Sequence, residues 1–208
     1  VCCNVEVVNG ANGFLLNTFV LTSFMVNFDL LIIFIALTNE IKADSKNQLF
    51  EKLQKGGNLI FIRHAYAPGN GDPDNFDIKD CSTQRNLSDT GRKQSEKIGN
   101  FFNENKIPID LVISSEWCRC KETALIAFDK FKTKDFLNSF YSSKFAKNKK
   151  FQMLNLEKYI DNWNEDKNLV LITHYVVISE VLNYAPSSGE IVVSDKNFKI
   201  IGNIEIDY

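Results

Sequence analysis

Two short apolar runs of the chain each end on a histidine. The run 59–62 leads into Arg63 and His64, and the run 169–172 leads through a threonine to His174. Apolar runs of this length without polar alternation are typical of strands that are buried on both faces. Ligands of open α/β sheets bind outside the carboxyl ends of the parallel strands, so we expect these side chains to meet a ligand. The two histidines are the only ones in the 208 residues.

Strand and helix patterns alternate along the rest of the chain. Further strands are predicted at 110–113, 189–194 and 198–206. The last two are expected to form an antiparallel hairpin at the sheet edge. Helices are predicted at 45–55, 116–128, 151–163 and 176–183, and after Ser88, a favoured N-cap residue. This order predicts an α/β protein, a three-layer α/β/α sandwich with a mostly parallel central sheet and an antiparallel edge strand.

Two connecting segments are long enough to take part in function. Segment 68–82 is rich in Gly, Pro and Asp and follows a candidate site residue, which favours a functional loop. Segment 129–148 has no regular pattern and is expected to cover the site. The helix at 116–128 is expected to face inward with Trp117, Ala124, Leu125 and Phe128.

The charge balance argues against a nucleic-acid partner. The net charge is −2 and the sequence pI is near 5.8, whereas nucleic-acid binders usually carry a basic face. Of the 24 basic side chains only Arg63, Arg85, Arg92 and Arg119 are arginine. Arginine presents a planar fork that lysine cannot copy, so its sparing use favours anion binding at Arg63, beside a histidine, and at Arg119, after a strand.

The segment 1–43 is interpreted as a leader to a domain at 44–208. Its uninterrupted apolar part, Leu30 to Leu37, has the length of a signal-peptide core and is too short to span a bilayer. A start at Met25 gives a leader that ends near Ala43, although it begins without basic residues. Three interpretations remain open: a cleaved secretory signal, an uncleaved membrane anchor, or upstream sequence read in error. The first predicts a periplasmic or secreted protein, and the second predicts membrane contact through the leader alone.

Four blocks of the sequence match a known family in order. They are Arg63-His64-Ala65, Arg85 to Arg92, Ser114 to Ala124, and Thr173-His174. With them the chain from Asn58 to Ile206 resembles the histidine phosphatase superfamily, whose phosphoglycerate mutase-like fold is an α/β/α sandwich. The run from Arg63 through Ala124 looks like a short exported bacterial branch. The resemblance implies phosphoryl transfer through a phosphohistidine, from a small phosphorylated substrate.

The chemistry of phosphomonoester cleavage gives the matching residues their expected roles. His64 is expected to attack through one ring nitrogen while the other donates to a backbone carbonyl. Arg63 and Arg119 are expected to bind the phosphoryl oxygens in pairs of hydrogen bonds, with Arg85 as the third arginine of the pocket. His174 is expected to donate to the same oxygens as charge builds in the transition state. These groups supply the stabilisation that Mg²⁺ gives in kinases, so neither a metal nor a cofactor is expected.

The general acid is not determined by the sequence. The residue after the second histidine is Tyr175, so the His-Asp pair of phytase-like members is absent. The candidates are Asp77 and Asp80 in the long loop and Glu116 beside the helix of Arg119. A weak or missing acid would leave good leaving groups as substrates, including phosphohistidine.

The cysteines of the predicted domain are Cys81, Cys118 and Cys120. The last two are two residues apart on a predicted helix, so they point to different sides and are not expected to pair with each other. We predict that Cys81 bridges to Cys118 or Cys120 and pins the long loop beside Arg119. A zinc site is disfavoured, because Cys-X-Cys is not the usual ligand spacing and both histidines have other expected roles.

Three functions therefore remain open. The favoured one is an exported, metal-independent phosphatase of the histidine type. A mutase that moves a phosphoryl group within a sugar acid uses the same pocket, but it belongs in the cytoplasm, and a genuine leader argues against it. A phosphate-binding or interaction module without catalysis becomes credible if the general acid is missing.

Overall fold

The computed structural model describes residue 33, residues 47–164 and residues 166–208. The chain divides into two compact units, of which the second, Leu49–Tyr208, holds nearly all of the described residues. Apart from Ile33, the predicted leader lies outside the described residues, so its role stays a prediction. Among the described helices, none combines the length and the apolar character that a membrane span requires.

The elements of the second unit follow the predicted alternation. The strands are β1 (Leu59–Arg63), β2 (Ile109–Ser114), β3 (Lys132–Thr133), β4 (Asn168–Thr173), β5 (Ile191–Ser194) and β6 (Ile200–Ile204). The helices are α1 (including residues 49–55), α2 (Asp89–Glu104), α3 (Cys118–Phe128), α4 (Ser143–Ala146), α5 (Lys149–Asn162) and α6 (Tyr175–Leu182). The predicted N-cap of α2 is present, since the Ser88 side chain accepts a hydrogen bond from the Gly91 amide. Short 3₁₀ turns lie at Cys81–Thr83 and Asp135–Leu137.

The strands form one mixed sheet in the order β3-β2-β4-β1-β5-β6. The neighbours β1 and β4, β2 and β4, and β2 and β3 are parallel. Strand β5 is antiparallel to both β1 and β6, and it forms the predicted hairpin with β6 at one edge. The predicted fold class is confirmed.

Side chains of the sheet point alternately into two cores. In β1, Ile60 and Ile62 belong to one core, while Leu59 and Phe61 belong to the other. Helices α1, α2 and α3 complete the first core, and α5 and α6 complete the second. Because both faces of the sheet are covered, the runs 59–62 and 169–172 of its central strands are apolar without interruption.

The register of β1 and β4 places the two histidines side by side. Arg63 pairs with Thr173, and the His64 amide donates to the Thr173 carbonyl at 2.9 Å. At the opposite end of the strands, the buried Oδ1 of Asn168 accepts from the backbone N and the Nδ2 of Asn58 at 3.2 and 2.8 Å. Buried polar groups are costly to leave unpaired, so this asparagine pair favours one register over its alternatives.

Helix α3 corrects one prediction about its buried face. It begins at Cys118, two residues later than expected, and Leu125 is 55% exposed rather than buried. The residues that α3 does bury toward the core are small: Cys120, Thr123, Ala124 and Ala127. Here α3 lies close to α2, since a Cβ on Gly99 would lie 2.5 Å from the Ala127 carbonyl oxygen. Leu125 lies outside this stripe of spacing i, i+3, i+4 and i+7, so its side chain points away from the core.

Candidate active site

The carboxyl ends of β1 and β4 bring His64 and His174 together. Their ring centroids are 5.5 Å apart, and each residue is only 2% exposed. Arg119, in the first turn of α3, reaches both rings with its buried guanidinium. Residues that are far apart in the sequence thus meet at the carboxyl ends of these two strands.

His64 is held with one ring nitrogen engaged by the backbone. Its Nδ1 lies 2.8 Å from the carbonyl oxygen of Ala65, and its Nε2 lies 3.2 Å from Nε of Arg119. A carbonyl can only accept, so Nδ1 carries the proton and Nε2 presents its lone pair. Burial, followed by the charge of Arg119, lowers the pKa of His64 well below 6.5. The ring is therefore neutral at neutral pH, and its Nε2 lone pair accepts a hydrogen bond from Arg119 Nε.

His174 is oriented by a chain of polar groups on its far side. Arg119 Nη2 lies 3.4 Å from its Nδ1, while its Nε2 lies 3.0 Å from Ser115 Oγ. Ser115 Oγ in turn donates to Asn138 Oδ1 at 3.0 Å. Since the guanidinium can only donate, this chain is satisfied when Nε2 of His174 donates to Ser115. Burial and Arg119 also lower the pKa of His174 well below 6.5.

Arg63 reaches the same space from the end of β1. Its Nη1 donates to the Pro186 carbonyl at 2.9 Å, and its guanidinium carbon lies 5.4 Å from the ring centroid of Tyr175. Its Nε is buried and has no hydrogen-bond partner among the described residues. A buried N–H without a partner is rare, so this donor is suited to a bound acceptor.

Arg85 fixes the long loop against the site. Its Nε donates to the Gly71 carbonyl at 2.8 Å, and its Nη1 donates to the Ala67 carbonyl. Burial, with the neighbouring charge of Arg119, lowers the pKa of Arg85 to about 10. The guanidinium still carries its charge at neutral pH, and it both lines the cavity and ties the loop.

These side chains line one cavity of about 280 Å³. The sequence-predicted residues that it brings together are Arg63, His64, Arg85, Arg119 and His174. Segment 129–148 covers part of it, as expected, through Ser139, Tyr141, Ser142, Lys144 and Phe145. Arg92 lies elsewhere, in ion pairs with Asp89 and Glu122 near the start of α2.

Sequence reasoning missed one carboxylate of this cavity, Asp72. Its Oδ1 lies 2.7 Å from Arg119 Nη1, and its Oδ2 lies 3.2 Å from Arg119 Nη2. The Trp117 indole donates to Oδ2 at 3.0 Å, and the Arg85 amide donates to Oδ1 at 3.1 Å. Asp72 lies in the predicted functional loop, but the sequence offers no signal that separates it from the other acids there.

The three acids that the sequence suggested as proton donors do not line this cavity. Asp80 caps the 3₁₀ turn at Cys81–Thr83, and Asp77 is exposed in the same loop. Glu116 accepts from Asn138 Nδ2 at 2.6 Å on the far side of His174. The structure therefore gives no support to any of the three as the general acid.

Within the described part of the chain, no three His, Cys, Asp or Glu side chains cluster as ligands for a metal ion.

A disulfide ties the long loop to the helix that carries Arg119. Cys81 is bonded to Cys118, one of the two pairings that the sequence left open. Cys120 is free and buried, with its Sγ 3.5 Å from His174 Nε2, and burial raises the pKa of this thiol to about 12. The bond joins the loop that holds Asp72 to the first residue of α3.

Removing this bond is expected to destabilise the fold by about 2–4 kcal/mol, because the unfolded chain regains the freedom of a long loop. Urea unfolding of the Cys81→Ser variant, compared with the oxidised wild type, measures the loss. A reducing agent should lower the stability of the wild type by a similar amount and leave the variant unchanged. Equal stability of all four samples would contradict the expectation.

Comparison with known proteins agrees with this geometry. Residues 59–138 match the model of the histidine phosphatase superfamily (branch 1). That range contains three of the four sequence blocks, with His64, Arg85 and Arg119, and it ends before His174. No curated protein matches the chain significantly in sequence.

The solved structures that share the fold include the following three. The protein histidine phosphatase SixA complexed with tungstate is 14% identical, with a TM-score of 0.50 over 71% of this chain and 96% of that chain. A protein of Agrobacterium tumefaciens proposed to be the phosphohistidine phosphatase SixA is 19% identical, with a TM-score of 0.51 over 72% and 97%. TTHB049 of Thermus thermophilus is 14% identical, with a TM-score of 0.52 over 72% and 99%.

At these identities the structural likeness defines the fold alone. Together, the family match and the shared fold support the superfamily assignment that the sequence motifs predict. The narrower likeness to a short exported bacterial branch stays a prediction.

Proposed function

We propose that this chain is a phosphatase that hydrolyses a phosphomonoester through a phosphohistidine on His64. The observation that carries the proposal is the paired geometry of His64, whose Nδ1 is held by a backbone carbonyl while Nε2 faces Arg119 at 3.2 Å. A neutral imidazole with a fixed tautomer is a competent nucleophile toward phosphorus. The family match and the fold support phosphatase chemistry in general.

In the first step Nε2 of His64 attacks the phosphorus atom, and the bond to the leaving oxygen breaks. The charge that spreads over the equatorial oxygens is met by the guanidiniums of Arg63, Arg85 and Arg119. His174 lies within reach of the same guanidinium as His64, and its neutral ring accepts from Arg119 and donates to Ser115, so the expected donation to these oxygens requires a change of partner. Water then attacks the phosphohistidine and releases phosphate. Because three guanidiniums neutralise the phosphoryl group, we expect turnover in the presence of EDTA.

The cavity favours a small phosphorylated compound as substrate. Its volume of about 280 Å³ suits a phosphoryl group with a modest leaving group. One wall is aromatic, with ring centroids of Phe76 and Trp117 at 5.0 Å and those of Phe76 and Phe145 at 5.5 Å. A structurally similar protein is described as a protein histidine phosphatase, so phosphohistidine on a protein is the second substrate to test.

The proposal is tested by trapping the intermediate. The full chain is mixed with ³²P-labelled p-nitrophenyl phosphate in EDTA and quenched within milliseconds to seconds. We expect a protein-bound phosphate that is labile in acid and stable in base, on the peptide that contains His64. Turnover without such a species, or its appearance on another residue, would contradict the proposed route. Absence of hydrolysis with aryl phosphates, sugar phosphates and phosphohistidine peptides alike would favour a binding module.

The pH dependence of the reaction should report the buried state of His64. The ring attacks only when it is neutral, and protonation as the pH falls through its pKa removes the lone pair. Since burial and Arg119 hold this pKa well below 6.5, kcat/KM should not show a histidine inflection near pH 6.5. The measurement is kcat/KM against pH, with the second ionisation of the substrate, near about 6, followed separately by phosphorus NMR. A loss of activity centred at pH 6.5 that the substrate does not explain would contradict the assigned environment.

A further inference from the structure

Asp72 competes for the donors that a phosphoryl group needs. It binds Nη1 and Nη2 of Arg119, whereas Nε of the same guanidinium lies 3.2 Å from the His64 nitrogen. The guanidinium of Arg119 therefore lies between the Asp72 carboxylate and the nitrogen of His64 that is proposed to attack. Its side chain is 15% exposed and lines the cavity, unlike Asp77, Asp80 and Glu116.

We propose that Asp72 is the proton donor to the leaving oxygen, an inference that rests on the proposed phosphatase function and completes it. A phosphoryl dianion on Arg119 displaces the carboxylate from the guanidinium and leaves it next to the departing group. The donor thus comes from the loop after β1, at a position that the sequence alone does not single out.

The loop that carries Asp72 is held firmly enough to place one carboxylate. The Arg85 amide and the Trp117 indole donate to it from two different parts of the chain. The Arg85 side chain donates to the carbonyl of Gly71, the residue before Asp72. The disulfide at Cys81 anchors the far end of the loop. When Arg119 turns to the phosphoryl group, Trp117 and the Arg85 amide can still keep the carboxyl in the cavity.

The same contacts explain how Asp72 can take up a proton. Burial alone would raise the pKa of Asp72, but hydrogen bonds from Arg119 and its charge lower it below 3.8 overall. A bound dianion removes those bonds and adds a negative charge nearby, and both changes favour the protonated carboxyl. The charged and titratable groups that line the cavity with Asp72 are Arg119 from α3, Arg85 after the loop, Arg63 at the end of β1, His64 directly after it, His174 and Tyr175 at the start of α6, and Asp74, Tyr141 and Lys144.

The proton balance closes over the two steps. As the His64 nitrogen bonds to phosphorus, the oxygen–phosphorus bond breaks, its electron pair stays on oxygen, and that oxygen takes the proton of Asp72. The resulting carboxylate then accepts a proton from the water that attacks the phosphohistidine. The phosphorus–nitrogen bond breaks with its electron pair returning to His64, and phosphate leaves. Asp72 takes up its proton from solvent when the dianion binds, ends the cycle protonated, and returns that proton to solvent when it pairs with Arg119 again.

The test is the leaving-group dependence of the Asp72→Asn variant. Aryl phosphates of similar shape are compared, from p-nitrophenyl phosphate, whose phenolate leaves unaided, to phenyl phosphate, whose oxygen needs a proton. We expect kcat/KM to fall less than about threefold with the first and about 10²-fold or more with the second. The wild type should lose activity on phenyl phosphate as the pH rises past the pKa of bound Asp72, and the variant should lack that limb. Asp89→Asn is the matched control, since Asp89 also pairs with an arginine but its side chain is 95% exposed.

Three outcomes would overturn the inference while leaving the phosphatase proposal in place. A uniform loss over all leaving groups would assign Asp72 to holding the loop. A uniform gain, with tighter inhibition by inorganic phosphate, would make the carboxylate a competitor for Arg119 only. A leaving-group effect in Asp77→Asn or Glu116→Gln, and not in Asp72→Asn, would place the donor elsewhere. By contrast, a wild type that hydrolyses neither these esters nor sugar phosphates nor phosphohistidine peptides would contradict both proposals.

Discussion

Replacing His64 with alanine is expected to reduce hydrolysis of p-nitrophenyl phosphate by at least about 10⁴-fold. The reason is that the imidazole forms the bond to phosphorus. Without it the phosphohistidine cannot form, and the two-step reaction is abolished rather than slowed. Initial rates over a range of substrate concentrations measure the loss, and the labelled phosphoenzyme should disappear with it. Substrate binding should persist, because the three arginines of the cavity remain.

Folding has to be checked in the same experiment, because His64 is buried and hydrogen-bonded to Ala65. His64→Asn provides a second variant that keeps a polar side chain without an imidazole. Both variants should melt cooperatively, as judged by circular dichroism, and both should be inactive. A folded His64→Ala protein with a tenth or more of the wild-type rate would show that the nucleophile is another group.

Replacing Arg119 with lysine is expected to lower kcat/KM by about 10²–10³-fold while leaving the net charge unchanged. One guanidinium here contacts His64, His174 and Asp72 through three different nitrogens. An ammonium is a point charge and cannot hold the two histidines and, in turn, Asp72 or two phosphoryl oxygens in one plane. Most of the loss should appear in kcat if the fork acts chiefly in the transition state.

Arg92→Lys is the matched control for this exchange. Arg92 makes its ion pairs with Asp89 and Glu122 outside the cavity, and its side chain is 42% exposed. We expect its kcat/KM to stay within about twofold of the wild type, because surface pairs contribute little. Equal losses in the two variants would mean that Arg119 acts through general stability rather than through the phosphoryl group.

The convergence of the site could be predicted because it follows from local patterns and one rule of sheet topology. Two apolar runs that end on His64 and His174 are typical of buried parallel strands, and parallel strands present their carboxyl ends at one edge. Arg119 was indicated by its place after a third predicted strand, and the family resemblance then added Arg85. Each of these residues stands beside a strand end or a strong turn, where sequence patterns are informative.

The place of Asp72 could not be predicted, because no local pattern determines it. Its loop carries several carboxylates between glycines and prolines, and they look alike in sequence. What selects Asp72 is long-range: Arg119, the Trp117 indole and the Arg85 amide converge on it. The inward orientation predicted for Leu125 was wrong for a related reason, since α3 buries a different stripe, Cys120, Thr123, Ala124 and Ala127. In both cases contacts with other parts of the fold determine the orientation of the side chain, and the local sequence does not reveal those contacts.

The asparagine pair at the amino ends of β1 and β4 has a consequence for the evolution of the site. Asn58 and Asn168 each lie six residues, or about 20 Å, before His64 and His174. By favouring one register of β1 and β4, this pair nevertheless determines the distance between the two imidazoles. Substitution of either asparagine would alter or abolish activity while every residue that lines the cavity is unchanged. Inspection of the cavity residues alone would therefore misjudge whether a homologue is active.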